Sequence, residues 1–258
     1  MVPMKLYDDR VGGDPFNVSA SLYTTYLQCP QQALGRLQGF YGKGSIASFK
    51  GKLAHKIFAA HLEDGEIPAD VFSMTCKKAV GADLSQDMAE LGMSISQFNG
   101  VVSEVEALYE RFKTLPMDGF KEAEVEFDLD AGGGVALRGR MDAIFADEDG
   151  TRIIDWKTGT YVSDNEPQLD FYAMVWKLLH DELPIATDAL SVATGENLHR
   201  VPNDATVLRT VEDVGAMIDA LRTALSAGSE LARTAGPYCR WCPILDTCQE
   251  GTAAVDLL

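Results

Sequence analysis

The pattern of apolar and polar positions predicts a chain that is helical near both ends. Apolar residues recur at helical spacing within residues 19–37, 50–62 and 68–115, and again within residues 211–226. The clearest stripe, in residues 96–115, consists of Phe98, Val102, Val105, Leu108 and Phe112. A further helix is predicted to open at Pro167, because proline favours the first turn of a helix.

The central part of the chain has the period of β-strands. Across residues 122–130, Val125, Phe127 and Leu129 alternate with acidic residues, as in a half-buried strand. Residues 135–145 and 151–157 are two further apolar strands joined by a turn at 147–150, and another strand is expected at 189–193. The order α, β, β, β, α, β, α predicts an α/β fold with a mixed sheet flanked by helices.

Length and composition predict one domain. With 258 residues and 46% hydrophobic composition, residues 1–258 can form a single domain whose core spans about residues 120–195. No internal repeat or long linker divides them. The first ten residues lack a signal-peptide pattern, and no apolar run reaches the roughly 18 residues of a membrane span. We therefore expect a cytoplasmic protein.

The predicted hairpin holds the most informative side chains. Asp142 lies in its first strand, and Asp155 and Lys157 lie in its second. Because side chains alternate along a strand, Asp155 and Lys157 project from one face and Trp156 from the other. Converging carboxylates bind divalent cations, and a neighbouring ammonium can orient water or offset charge on a phosphate. The hairpin therefore predicts metal-dependent hydrolysis of phosphodiesters.

The strand before the hairpin offers a further carboxylate. Glu124 and Glu126 lie on its polar side, and either could extend the site. The sequence does not choose between Glu124 and Glu126, and such a row of acids usually forms the solvent-facing side of a strand.

Four cysteines stand in two distant groups. Cys29 precedes the predicted core, and Cys239, Cys242 and Cys248 follow it in the pattern C-x2-C-x5-C. Four thiolates suffice for one tetrahedral zinc ion or for an iron–sulfur cluster, and the spacing does not choose between them. The remaining Cys76 is interpreted as a small buried hydrophobic residue.

These motifs resemble the RecB-like PD-(D/E)XK nucleases, specifically the AddB type and the small CRISPR-associated RecB-like exonucleases. Asp142 resembles their first acidic residue, and residues 155–157 resemble the (D/E)XK element. The resemblance implies a restriction-endonuclease-like core with a helical N-terminal elaboration. It also implies Mg²⁺ or Mn²⁺ dependence, and a 4Fe-4S cluster that staples the C-terminal segment through the four cysteines.

The resemblance also assigns roles outside the hairpin. His55 lies on a different helix face from Leu53 and Ile57, and it is similar to the metal-ligating histidine of the family, in preference to His61. With Asp142, Asp155 and the Trp156 carbonyl it would hold the metal. Gln168 and Tyr172 match the Q-x3-Y motif, which the family places near the DNA backbone and the active-site lysine.

Net charge opposes DNA binding except in one segment. The formal charge is −17, yet residues 15–62 contain no Asp or Glu, so the rest of the chain carries −22. The cations of this segment are the predicted nucleic-acid contacts: Arg36, Lys43, Lys50, Lys52 and Lys56. A confined basic track follows one backbone more easily than it grips a duplex, so we expect a free single-stranded end as substrate.

The sequence thus predicts a DNA exonuclease that hydrolyses single-stranded ends in recombination, repair or CRISPR adaptation. Helicase, recombination or CRISPR adaptation proteins are candidate partners, and the sequence leaves the oligomeric state open. Two alternatives stand beside it. One is a noncatalytic DNA-end-binding module that keeps the cluster, and the other is a zinc-stapled hydrolase with another substrate.

Overall fold

The structure, a computed structural model, describes residues 16–42 and 44–256, so Lys43 of the predicted basic track lies outside the described residues. The first part of the described chain contains β1 (Phe16–Val18), α1 (Ala20–Gln28), α2 (Pro30–Leu37), α3 (Ile46–Asp64), α4 (Ala69–Ala79), α5 (Ala82–Glu90) and α6 (Ile95–Phe112). Serine caps open three of these helices. The hydroxyls of Ser19, Ser45 and Ser94 each accept a backbone hydrogen bond from the first turn.

The second part contains β2 (Phe120–Gly132), β3 (Val135–Ala146), β4 (Thr151–Lys157), α7 (Glu166–His180), β5 (Ala186–Ser191), β6 (Asn197–Arg200), α8 (Asp204–Ala227) and α9 (Gln249–Val255). Short 3-10 segments lie at Ser163–Asn165, Pro237–Trp241 and Leu245–Thr247. Within this part of the chain, as in the first, no described helix is long and apolar enough to cross a bilayer.

The strands form one mixed sheet around β3. One edge of β3 pairs antiparallel with β2. The other edge pairs parallel with β1 at Val135, Ala136 and Leu137 and antiparallel with β4 from Ala143 to Ala146. β5 lies parallel to β4, and β6 antiparallel to β5. Residues 138–142 of β3 therefore pair with neither β1 nor β4, and we call this opening the fork.

Helices cover both faces of the sheet, which confirms the predicted α/β class. One core packs α1, α2, α7 and α8 against one face, and the other packs α3 to α6 against the opposite face. Met141 belongs to the first core but Ala143 to the second, although regular alternation would put both on one face. The alternation breaks at Asp142, opposite Glu124, whose φ is 53°.

The predicted helix at residues 19–37 is wrong as one element, because it divides into α1 and α2 at Cys29. Cys29 is extended, with φ −155° and ψ 105°, and Pro30 begins the next helix. Proline has no N–H to donate and disfavours helical backbone in the residue before it. The break places Cys29 between two helices.

The predicted strand at residues 189–193 is shifted, since β5 runs from Ala186 to Ser191. Its buried Thr187 and Asp188 hide the strand from a hydrophobicity pattern. The predicted element order also omits β1 and β6, which have only three and four residues and are defined by their pairing partners. The predicted helical region at 68–115 contains three helices, α4, α5 and α6.

Candidate active site

An open cleft of about 460 Å³ lies at the fork. Its walls come from α3, β3, β4, the loop after β4 and α7. Because β4 leaves β3 beyond Ile154, the last residue of the shared ladder, side chains rather than backbone bonds fill the space between the strands. The polar groups of the cleft therefore converge where the sheet opens.

Three side chains from three elements meet at the fork. His55 of α3, Glu124 of β2 and Asp142 of β3 each offer a ligand atom within 4.8 Å of the other two. His55 Nδ1 lies 3.2 Å from Asp142 Oδ1. The other oxygen of Asp142 accepts a 2.8 Å hydrogen bond from the Trp156 N–H. Asp142 is thus held by β4 and turned towards His55.

Asp155 and Lys157 lie beside this cluster on one face of β4. Lys157 Nζ is 2.7 Å from Asp155 Oδ2, and it donates a 2.8 Å hydrogen bond to Gln168 Oε1. Gln168 Nε2 donates to Asp155 Oδ1 at 2.7 Å and to the Tyr172 hydroxyl at 2.8 Å. The hydroxyl in turn donates to the Arg140 carbonyl at 3.1 Å. Gln168 therefore fixes both the carboxylate and the lysine.

The interaction of Tyr172 with Arg140 explains how the fork is closed. Arg140 lies in the stretch of β3 that has no strand on this edge, so its carbonyl needs another donor. Tyr172 supplies it from α7. Burial and the Asp155 carboxylate raise the pKa of Tyr172 well above its ordinary value, so the hydroxyl stays protonated.

Trp156 contributes its backbone groups, and not its indole ring, to the cleft. Its indole is buried against Phe112 and Phe145, whereas the residue borders the cleft. In a strand, the N–H and C=O of one residue point towards the same edge, so the carbonyl faces the fork as its N–H does. The predicted position of this carbonyl beside Asp142 agrees with that geometry.

The donor set fits a hard divalent cation. Carboxylate oxygens and one imidazole converge, and such ions prefer oxygen ligands. Asp155 Oδ2 is buried and meets the Lys157 ammonium at 2.7 Å. The carboxylates of Asp142 and Asp155 nevertheless lie close enough to repel each other, and a divalent cation between them would offset that repulsion.

Electrostatics of the cluster favour a cation as well. Burial raises the pKa of Asp155, and the nearby Asp142 carboxylate raises it further. Burial alone would lower the pKa of His55, but Asp142, Asp155 and Glu124 outweigh it and raise that pKa. Burial also raises the pKa of Glu124. These shifts arise because negative charge is concentrated in a partly dry site, and a bound cation would relieve that repulsion.

Of the two glutamates that the sequence left open, Glu124 joins the cluster and Glu126 does not. Glu126 is exposed and lies opposite Arg140, and Glu124 lies opposite Asp142. Glu124 is also paired with Arg140 at 2.7 Å. Alternation places both glutamates on one side of the strand, so the register with β3 was needed to separate them.

His61 lies away from the cleft, in the helical core. Its Nδ1 is 2.9 Å from the Tyr109 hydroxyl. Cys76 is fully buried, as its apolar surroundings in α4 predicted. Burial raises the pKa of its thiol to about 12, so this thiol is unreactive.

The structure does not assemble the predicted basic residues into one track. Lys50 pairs with Glu104 of α6 and Lys52 with Asp87 of α5, each at 2.6 Å. Lys52 nevertheless borders the cleft. Lys56 lies near Glu124, and Arg36 lies on α2 at the cysteine end, where its guanidinium donates to the Ser21 carbonyl. Acidic residues of α5 and α6 thus neutralise part of the positive charge of residues 15–62.

The four cysteines from both ends of the chain line one small cavity. Cys29 and Cys239 are buried, and all four thiols are free. Backbone N–H groups of Gly236 and Gly251 donate to Cys239 Sγ and Cys248 Sγ, each at 3.3 Å. A side chain on Gly251 would collide with Leu245 at 3.1 Å and Cys248 Sγ at 3.2 Å. Such N–H donors stabilise thiolates, which fits a bound metal or cluster.

Comparisons with known proteins agree with this geometry. Residues 17–249 match the PD-(D/E)XK nuclease superfamily. No curated protein sequence matches at a significant level.

One solved structure shares the fold, and two others give weak superpositions. A crystal structure of a "Putative exonuclease" from Eubacterium rectale superposes with a TM-score of 0.55 at 13% identity, covering 90% of this chain and 87% of the other. The structure of SSO0001 has a TM-score of 0.38 at 13% identity and covers 93% of this chain and 90% of its own. The structure of VC1899 from Vibrio cholerae has a TM-score of 0.26 at 14% identity and covers 73% of this chain and 57% of its own. Because the family match spans residues 17–249, the chain belongs to the PD-(D/E)XK nuclease superfamily.

Proposed function

We propose that this protein is a metal-dependent DNA exonuclease that hydrolyses phosphodiester bonds from single-stranded ends. The observation that carries the proposal is the meeting of His55, Glu124 and Asp142 beside the Asp155–Lys157 pair in one open cleft. Family membership supports nuclease chemistry. A noncatalytic end-binding module would need none of this constellation, and the intact side chains therefore favour turnover.

Metal binding falls to Asp142, Asp155, His55 and the Trp156 carbonyl, with Glu124 as an additional ligand. A bound Mg²⁺ or Mn²⁺ supplies activation of the attacking water and neutralisation of phosphate charge. The chain's own groups orient the reaction. Lys157, fixed by Gln168 Oε1, presents its ammonium to the water or to the phosphate oxygens as negative charge develops.

Gln168 and Tyr172 act as positioning residues. Gln168 holds Asp155 and Lys157 at a fixed separation, and Tyr172 anchors Gln168 to β3. Misplacement of a reacting group by about 1 Å can cost about a hundredfold in rate. Gln168→Ala is therefore expected to reduce turnover more than substrate affinity.

We further propose that Cys29, Cys239, Cys242 and Cys248 hold a 4Fe-4S cluster. The four thiols come from both ends of the chain and line one small cavity. The resemblance of their spacing to the cysteine staple of RecB-like nucleases supports a cluster rather than a single zinc ion.

The cluster would join segments that are far apart in the sequence, so its loss should destabilise the protein. Anaerobically purified protein is expected to be brown and to contain iron and sulfide. A Cys248→Ala variant should lose that colour. Colourless protein with stoichiometric zinc and no iron would instead identify a zinc staple.

The nuclease proposal is tested with end-labelled single- and double-stranded DNA, with Mn²⁺ and with a chelator. Lys157→Ala should abolish cleavage, whereas Lys121→Ala, which removes an exposed lysine from β2 outside the cleft, should not. Retained activity in Lys157→Ala would refute the assignment of this lysine. Equal degradation of linear and closed circular single strands would replace the exonuclease with an endonuclease.

We also propose that residues 1–258 form one domain. The protein would act in the cytoplasm, in recombination, repair or CRISPR adaptation. The chain's acidic balance suits a partner, such as a helicase, that delivers an already separated strand.

A further inference from the structure

Exposed aromatic side chains are concentrated in two places on the surface. Among the Phe, Tyr and Trp residues that the structure describes, four are largely exposed: Phe40 at 53%, Tyr41 at 75%, Tyr161 at 84% and Trp241 at 68%. Tyr161 borders the catalytic cleft. Phe40, Tyr41 and Trp241 form what we call the aromatic patch. Clustered apolar surface of this kind usually marks a binding site.

Contacts between two distant segments assemble the patch. Gly42, which follows Tyr41, packs so closely on Trp241 that an added Cβ would lie 3.3 Å from the Trp241 carbonyl. The Arg36 guanidinium lies near both Tyr41 and Cys242. Arg240 stacks over the Trp241 ring, 5.1 Å from its centroid. The three rings and two guanidinium groups therefore share one surface beside the cysteine cavity.

Local charge distinguishes this surface from the rest of the molecule. The chain carries −17, yet residues 15–62 and 231–245, which supply the patch, contain no Asp or Glu. A surface that combines rings and cations suits a polyanion that exposes flat bases. Single-stranded DNA does so, whereas a duplex buries its base faces by stacking. Charge complementarity thus selects a single strand over an apolar protein partner.

A groove of about 430 Å³ lies beside the catalytic cleft, and its wall begins at Gly44, three positions after Tyr41 in the chain. Gly44, Ser45, Ser48 and Lys52 form the wall on the α3 side, and Lys52 also borders the cleft. From Ser45 to His55 the helix rises about 15 Å. The opposite wall is acidic, with Asp87 and Glu90, and Asp87 is paired with Lys52. A phosphate backbone that follows the α3 wall would therefore replace Asp87 as the partner of Lys52.

We propose that a single DNA strand stacks its bases on Phe40, Tyr41 and Trp241 and runs along α3 to Tyr161 at the cleft. The proposal rests on the proposed function for its substrate class and adds the residues that recognise the strand. It explains why the exposed rings lie at the two ends of this route. It also assigns a substrate-binding role to the segment next to the cysteines.

Binding of a labelled short oligo(dT) tests the proposal in full-length protein with its native cofactor content. All variants carry Lys157→Ala so that the DNA survives. Tyr41→Ala and Trp241→Ala should each weaken binding about tenfold, because stacking contributes about 1–3 kcal/mol per base. Trp241→Phe, which retains a ring, should bind within about threefold of the parent. Ile95→Ala, which trims an exposed apolar residue on α6, is the matched control.

An oligomer of the same length with abasic sugars separates stacking from charge. The alanine variants should bind it as well as the parent does, because it has no bases to stack. Tryptophan fluorescence gives a second readout. Trp241 is exposed, whereas Trp156 is buried and Trp176 is half-buried against His180, so oligo(dT) should quench the parent and quench Trp241→Phe much less. Unchanged melting temperature and metal content would show that the variants are folded.

The outcomes separate this proposal from the nuclease proposal. If wild-type protein with Lys157 cleaves DNA but both alanine variants keep the parent's affinity for oligo(dT), the proposed role of the aromatic patch is wrong and the nuclease proposal stands. If wild-type protein does not cleave DNA but both alanine variants lose affinity as predicted, the nuclease proposal is wrong and the role of the patch stands. If Trp241→Ala instead dissociates a dimer in sedimentation and leaves DNA affinity unchanged, the patch is a contact between copies and the proposal is wrong.

Discussion

Two buried aspartates on neighbouring strands are in opposite states. Asp155 of β4 is 3% exposed and Asp188 of β5 is 0% exposed, and the two lie one residue apart in the register of the sheet. Asp188 accepts hydrogen bonds from Arg152 at 2.6 Å, and from Asn197 and His199 at 2.9 Å each. Asp155 meets the Lys157 ammonium and the Gln168 amide, each at 2.7 Å, but it also faces the Asp142 carboxylate.

Their acidities differ accordingly. Burial and the Asp142 carboxylate raise the pKa of Asp155. Burial would also raise the pKa of Asp188, but hydrogen bonds from Arg152, Asn197 and His199 outweigh it and lower that pKa. A carboxylate surrounded only by donors stabilises a fold, whereas one that also faces another carboxylate is suited to receive a cation.

The largest contrast is expected in catalysis. Asp155→Asn should reduce kcat/KM with Mn²⁺ by about a thousandfold or more, because it removes a proposed metal ligand but retains the side-chain shape. Asp188→Asn should leave kcat/KM near the wild-type value below its melting temperature. Near wild-type cleavage by Asp155→Asn would show that Asp155 has no catalytic role that Asp188 lacks.

Asp155→Asn should not destabilise metal-free protein. Since the folded pKa of Asp155 is raised, folding binds protons at this site, and ionisation at neutral pH opposes folding. The neutral amide removes that cost and can still accept the hydrogen bond from Gln168. A metal-free melting temperature equal to or above that of the wild type checks this expectation.

Metal binding should sharpen the contrast. Saturation at about one hundred times the dissociation constant stabilises a folded protein by about 2.7 kcal/mol, or several degrees in melting temperature. We expect Mn²⁺ to raise the melting temperature of the wild type and of Asp188→Asn. The increase should be lost in Asp155→Asn, and a full increase in that variant would place the metal elsewhere.

Stability should depend on Asp188. Asp188→Asn breaks charge-assisted hydrogen bonds to partners that are themselves about half exposed, so we expect a loss of about 2 kcal/mol rather than that of a fully buried pair. This corresponds to about 4–8 °C in melting temperature. Because the folded pKa of Asp188 is depressed, its contribution is present above about pH 4 and is lost as pH falls through that folded pKa. The difference between wild type and variant should therefore narrow in acid, and a constant difference would contradict the linkage.

The smallest effect concerns the carboxylates on β2. Glu124→Gln should reduce kcat/KM about tenfold, since it weakens one corner of the proposed metal site. Glu126→Gln, two residues away and exposed, is the matched control and should have little effect. Equal losses in the two variants would indicate a general charge effect rather than a ligand at Glu124.

Local periodicity made much of the fold predictable. Alternation in residues 151–157 placed Asp155 and Lys157 on one face and Trp156 in the core, and the structure has this arrangement. The four-residue spacing of Gln168 and Tyr172 likewise put them in contact on α7. The roles of these residues in catalysis remain predictions.

Short and polar elements escaped the same reasoning. β1 and β6 carry almost no hydrophobic signal. The predicted strand at 189–193 misses the start of β5, because the buried Asp188 is polar. β1 pairs with β3, far along the chain, and β6 pairs with the neighbouring β5, and propensity encodes neither pairing. Helix breaks such as Cys29 and Pro30 are local, and the rule for proline could have located that one.

The sequence by itself determined the element types, the family and the faces of individual strands and helices, because these depend on residues a few positions apart. Only the tertiary structure decided that Glu124 rather than Glu126 meets Asp142 and His55, and that Lys50 and Lys52 lie against acids of α6 and α5. These outcomes depend on strand register and on helix packing across tens of residues. Long-range packing sets both, and the period of side chains along one segment carries no information about its partner.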